Sequence, residues 1–100
     1  MEINYEVKEE SNTIELTLRG RFDLNSYKDF INSYSKFSLK KKFIINLELD
    51  YMDSSSLGAL LMFREHFGNH NDTILRTSKQ DVVDILKVSN FTTLFKLEIM

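Results

Sequence analysis

Three consecutive serines behind an aspartate, Asp53-Ser54-Ser55-Ser56, are the residues whose types and spacing bear most directly on chemistry in this chain. An apolar run, Phe43 to Leu47, precedes them, and a stretch with helical periodicity follows and ends near Phe67. A strand that feeds a helix through a serine-rich turn puts hydroxyls at the helix N-terminus. There the unpaired backbone N–H groups and the helix dipole stabilise negative charge. Such hydroxyls have two uses. As N-caps they stabilise the helix by about 1 kcal/mol. As acceptors of a phosphate they gain about −1.5 to −2 charges at pH 7. Beside Asp53, with Asp23 as a candidate second neighbour, that charge is repelled. A surface position leaves the fold intact while a partner docked there is expelled. Residue chemistry by itself leaves both uses open.

Other constellations are weaker. His66 and His70 are four apart, but Gly68 lies between them and no acid completes a metal-binding HExxH pattern. Glu48, Asp50 and Asp53 form an acidic cluster that a divalent ion would suit, although such residues more often cap and solvate a turn. A nucleophile elbow needs Gly-x-Ser-x-Gly with an acid and a histidine downstream; here Met52 stands two before Ser54 and no histidine follows His70. A phosphoacceptor receiver needs an acidic pair after its first strand and a late lysine. The first strand here ends in Val7-Lys8-Glu9-Glu10 and opens a hairpin. The expectation is a binding protein, not an enzyme, with no cofactor and no metal.

The elements that must position the serines are read from periodicity. Ile3, Tyr5 and Val7 alternate with polar residues, as do Ile14, Leu16 and Leu18, so 3–7 and 13–19 make an antiparallel hairpin around Glu9–Asn12. Gly20 breaks the second strand, and 20–26 form a loop in which Asn25 or Ser26 caps a helix over 27–37. Residues 38–42 are its polar exit. Phe43 to Leu47 is apolar apart from Asn46 and reads as a central strand buried on both faces. After the serines, Leu57, Leu60, Leu61 and Arg64 form one stripe of a helix so broadly apolar that it is sandwiched, with Gly68 as a left-handed cap. Asn69–Asp72 is a turn, Thr73–Thr77 a short strand, and Ser78 or Lys79 opens a helix carrying Val82, Val83, Ile85 and Leu86, with Val88 as a further candidate, to Ser89-Asn90. Phe91–Thr93 connects to a last strand over 94–99. The order is β-β-α-β-α-β-α-β. This is an α/β fold with a mixed β-sheet: an antiparallel hairpin, then right-handed crossovers, packed against helices.

One hundred residues make one domain with one core. At 42% hydrophobic and 28% charged the chain is globular, and a net charge of −2 gives no electrostatic case for nucleic acid or an anionic membrane. Lys40-Lys41-Lys42 is the one basic run and reads as a solvated loop tip. The absence of cysteine excludes disulfides and thiolate chemistry, and three glycines are too few for a phosphate-binding glycine loop. With neither a signal peptide nor a membrane-length apolar window, the expected location is the cytoplasm.

Tyr51-Met52-Asp53-Ser54-Ser55-Ser56-Leu57-Gly58 resembles the phosphorylation motif of STAS-domain anti-sigma factor antagonists, Asp-Ser-Ser/Thr-Gly-Leu-Gly after a buried strand. Leu18-Arg19-Gly20-Arg21-Phe22-Asp23 resembles the family's Gly-x-Leu-Asp loop, and Ile85 to Phe91 its last helix and turn. The resemblance implies a STAS-like fold over 1–100 and a regulatory, partner-switching role in transcription. It implies phosphorylation of Ser54 by a partner that is both anti-sigma factor and serine kinase, and resetting by a metal-dependent serine phosphatase. Asp23, Asp53, Ser55, Ser56 and Leu57 fall on the implied partner surface, with Ser55 as the supporting hydroxyl. Ser56 departs from the pattern, since the family has a glycine there. Some STAS domains are never phosphorylated and serve as subunits of transport complexes or stressosome-like scaffolds, which is the alternative.

Overall fold

A computed structural model describes residues 1–37, 42–68 and 72–100. The expected exit at 38–41, Lys40 and Lys41 of the basic run, the turn at 69–71 and His70 lie outside the described residues. The elements are β1 (Glu2–Lys8), β2 (Thr13–Phe22), α1 (Tyr27–Ser35), β3 (Lys42–Met52), α2 (Ser54–Phe67), β4 (Thr73–Thr77), α3 (Gln80–Val88) and β5 (Lys96–Ile99). Short 3-10 turns occupy Glu9–Ser11, Leu24–Ser26 and Phe91–Thr93. The five strands lie in chain order, β1-β2-β3-β4-β5. The β1–β2 pair is antiparallel and the other three are parallel. The expected mixed α/β architecture is therefore the observed one.

Consecutive parallel neighbours joined by right-handed crossovers place all three helices on the same side of the sheet. The core lies there. Ile14, Leu16, Leu18, Phe43, Ile45, Leu47, Leu49 and Leu75 point into it from the strands, and Phe30, Tyr34, Ala59, Leu60, Phe63, Val82 and Leu86 from the helices. The opposite side carries Glu15, Thr17, Arg19, Ile44, Asn46, Glu48, Arg76 and Glu98, half-buried or exposed. This corrects the reading of β3 as buried on both faces. Its outward Ile44 is half-buried, and its outward Asn46 donates to Glu15 Oε2 at 2.7 Å and Thr17 Oγ1 at 3.2 Å.

Both strands that lead to the serines run further than the sequence suggests. Gly20 does not end β2: it sits inside the strand at φ +98°, a conformation that disfavours side chains. Directly after it the register shifts from Gly20↔Leu49 to Arg21↔Tyr51, stepping over Asp50 as a bulge. The bulge breaks the alternation, so Leu49 and Met52 both face the core across a gap of three. What reads as an acidic link, Glu48 to Met52, is strand.

Other ends move by a few residues. α1 stops at Ser35 and β5 begins at Lys96, because the Phe95 N–H donates back to the Phe91 carbonyl at 2.9 Å. Gly68 ends α2 at φ 82° and ψ 161°, a region open essentially to glycine alone, rather than in the left-handed helical cap expected. α2 is not sandwiched either: Ser56, Ala59, Leu60, Phe63 and Phe67 are buried while Leu61 and Met62 are exposed.

Candidate functional site

The serines do not precede α2; they form its first turn. Asp53 is the N-cap, extended at φ −141° and ψ −169°. Its Oδ1 accepts from the N–H of Ser55 at 2.9 Å and of Ser56 at 3.3 Å. The Ser56 hydroxyl accepts from the Asp53 N–H at 2.9 Å and donates to the Asp53 carbonyl at 2.6 Å. These bonds close a capping box, in which N-cap and third helical residue satisfy each other's backbone. The Leu57 N–H bonds the Asp53 carbonyl at 3.2 Å and starts the helical ladder.

The three hydroxyls thereby become unlike. Ser54 is exposed, and among the described residues its hydroxyl has no partner. Ser55 is half-buried, its backbone N–H held by Asp53. Ser56 is 0% exposed, with its hydroxyl engaged on both sides. The donors that a helix start offers an anion are also partly taken, since Asp53 already fills the first turn with its own carboxylate.

A second aspartate repeats the device one strand over. Asp23, at φ −130° and ψ −168°, caps the 3-10 turn Leu24–Ser26 by accepting from the Asn25 N–H at 3.0 Å. The expected caps, Asn25 and Ser26, do not serve: the buried Ser26 hydroxyl donates instead to the Arg21 carbonyl at 2.9 Å. Arg21 and Tyr51 link the two caps. The Arg21 guanidinium bonds Asp23 Oδ2 at 3.0 Å and lies 3.7 Å from the centre of the Tyr51 ring. The Tyr51 hydroxyl in turn donates to Asp53 Oδ2 at 3.1 Å. That bond and the Asp53 charge raise the Tyr51 pKa above its ordinary value. Asp23, Arg21, Tyr51 and Asp53 are thus one connected chain along the carboxyl ends of β2 and β3. Arg21 and Tyr51 escaped the sequence reading because their pairing depends on the bulge at Asp50.

The acidic trio does not converge. Glu48 pairs with Arg19 at 2.8 Å, Asp50 is exposed at the bulge, and Asp53 caps α2. Among the described residues no three His, Asp or Glu side chains are placed to hold a metal ion. The surface of α2 and of the Asp23 turn is apolar in part. Leu24 is 71% exposed, Leu61 40% and Met62 42%, and Leu57 is half-buried on the same helix. The Tyr27 hydroxyl donates to the Met62 sulfur, so α1 and α2 meet at the edge of this patch. No helix among the described residues is long and apolar enough to cross a membrane.

Comparison with known proteins shows the family and the fold. The chain is 36% identical over 87 residues to a STAS-domain containing protein of Pseudomonas aeruginosa (strain UCBPP-PA14), covering 84% of this chain and 86% of that one. Its fold matches the crystal structure of an anti-sigma factor antagonist from Mycobacterium paratuberculosis with a TM-score of 0.77, over 99% of this chain and 87% of that one, at 12% identity. The model of the STAS domain matches residues 4–99, and the chain belongs to that family.

Proposed function

We propose that this STAS protein is a phosphorylation-switched binding protein and not itself an enzyme. Its unphosphorylated form binds an anti-sigma factor that is also a serine kinase, and so relieves inhibition of a target such as a sigma factor. Phosphorylation of Ser54 releases the partner, and a metal-dependent serine phosphatase restores the first state, all in the cytoplasm. One observation carries the reading: Ser54 is the exposed, unengaged hydroxyl in the first turn of α2, directly after the aspartate that caps it. Leu61 and Met62, exposed further along α2, and Leu24, exposed beside the Asp23 cap, supply apolar area for a partner.

The physics of the switch follows from the capping box. Asp53 Oδ1 already holds the N–H groups of Ser55 and Ser56, so a phosphate on Ser54 is not drawn into the helix end but stands out into solvent. It adds charge beside Asp53 and, through the Arg21–Tyr51 link, near Asp23. The fold is kept while the docking surface turns strongly negative.

Incubation with the genomically linked kinase and mass mapping tests this, with phosphate expected on Ser54. Phosphate on Ser55 or Ser56 alone refutes the assignment, and no phosphate at all points to an unphosphorylated STAS interaction subunit. In calorimetric titrations Ser54→Ala binds the kinase constitutively. Ser54→Asp folds but binds about 30–100-fold more weakly, a penalty of about 2–3 kcal/mol. Binding by Ser54→Asp at the parent affinity shows that charge here is not the switch.

A further inference from the structure

The sheet has two free edges, and β1 is the unusual one. It is seven residues long, pairs only with β2, and is exposed at every position but Ile3. Among the described residues nothing pairs with its outer edge. Long open edges invite strand addition, and natural proteins protect them with charges placed to repel a newcomer. The charges on β1, Glu2, Glu6 and Lys8, all lie on the open face of the sheet and leave the other face of the strand uncharged. On the open face of the sheet Glu2 begins the strand and Lys8 ends it, while Ile3, Tyr5 and Val7 lie on the helix side opposite Leu18, Leu16 and Ile14. Tyr5 is 51% and Val7 36% exposed. The Tyr5 ring is held by the edge of Phe37, with centroids 5.2 Å apart, and by the Lys36 ammonium 4.3 Å above it.

We propose that β1 pairs antiparallel with β1 of a second copy of this chain, two-fold symmetric about Tyr5. In that register Glu2 faces Lys8 of the other copy, Ile3 faces Val7, Asn4 faces Glu6, and Tyr5 faces Tyr5. The apolar row of the helix side continues across the junction without a break. On the open face the charges already form ordered runs within one chain. Glu2 lies opposite Arg19, at 3.9 Å, and Arg19 bonds Glu48 at 2.8 Å. At the other end of the strand Lys8 bonds Glu15 at 2.8 Å. Pairing joins these runs into Glu48–Arg19–Glu2 from one copy followed by Lys8–Glu15 from the other, alternating in sign throughout and repeated by symmetry. A single added strand of this size makes a small interface, so the dissociation constant is on the order of 10–100 µM. It weakens as salt screens the exposed pairs.

Charge reversal with mixing tests the pairing. Sedimentation equilibrium of the parent up to about 0.5 mM shows a reversible monomer–dimer equilibrium in this range of affinity. Glu2→Lys places like charges at both ends of the junction, as does Lys8→Glu, and each weakens dimerisation by about tenfold or more. An equimolar mixture of the two variants forms heterodimers of near-parental affinity. Only in the mixed pair do opposite charges again face each other at both ends of the junction, with the two introduced side chains meeting at one of them. Any folding defect in either variant persists on mixing, so recovery reports the contact between chains alone. A parent that stays monomeric overturns the proposal. So do two variants that dimerise as the parent does, or a mixture no more dimeric than its components.

Discussion

Ser56 shows how much a single hydroxyl can determine. It accepts from the N–H and donates to the carbonyl of the same residue, Asp53, and is fully buried while doing so. The family resemblance expects a glycine here, and the structure explains what the serine does instead: it completes the cap. Ser56→Gly, which recreates the expected motif, loses the box and adds a glycine to a helix. It is expected to cost about 1–2 kcal/mol in urea denaturation. Asp53→Ala costs a similar amount, about 1 kcal/mol or somewhat more, whereas Asp53→Asn keeps the cap within a few tenths of a kcal/mol. Asp53→Asn therefore removes the charge beside Ser54 without removing the helix start. That Asp53 and Ser54 stand where a strand passes into a helix was legible in the sequence. The role of Ser56 was not, because a capping box normally closes with Glu or Gln at its third helical position.

At the scale of the element, α2 is a lever held by aromatic rings. Phe63 stacks on Phe30 at 6.1 Å and meets Tyr34, Phe43 and Phe67 at 5.0, 5.0 and 4.9 Å. Phe63→Ala leaves a cavity at the junction of α1, β3 and α2 and is expected to lower stability by about 3–5 kcal/mol, read from the denaturation midpoint at unchanged slope. The existence and type of every element were legible, since each has its own period. The face of α2 was not. Leu60, Leu61, Met62 and Phe63 run consecutively, so the stripe of Leu57, Leu60, Leu61 and Arg64 is one of several that the period allows, and only packing decides that Leu60 and Phe63 go in while Leu61 and Met62 stay out. The bulge at Asp50 hid the end of β3 in the same way, by removing the alternation on which a strand is recognised.

Across the whole molecule, the open face of the sheet bears on both limits of pH stability and the core on the alkaline one. Glu15 accepts from Lys8 and Asn46, and these bonds hold its pKa below the ordinary value of 4.5. Its contribution is present above that value and is lost as pH falls through the depressed one. Lys8 is raised above 10.5 by the same bond, so its share is intact below that value and is lost only as pH rises through the raised one. Tyr34, buried in the core and near Tyr27, is pushed up from 10.0 to about 12. It favours the folded chain below pH 10 and ceases to as pH climbs through about 12. Stability measured against pH is therefore expected to fall at both ends. Glu15→Gln flattens the acid limb and, by removing the partner that raises Lys8, part of the alkaline limb as well, whereas Tyr34→Phe acts on the alkaline limb alone.

The strand order repeats the chain order from β1 to β5. During synthesis each strand leaves the ribosome after the neighbour it must join, and no strand has to wait for one not yet made or be parted to admit a later arrival. Chain ends are brought together nowhere in the sheet, so every pairing step closes a loop no longer than one crossover. The molecule can be laid down as a row is, from one margin to the other, with no strand inserted between two others.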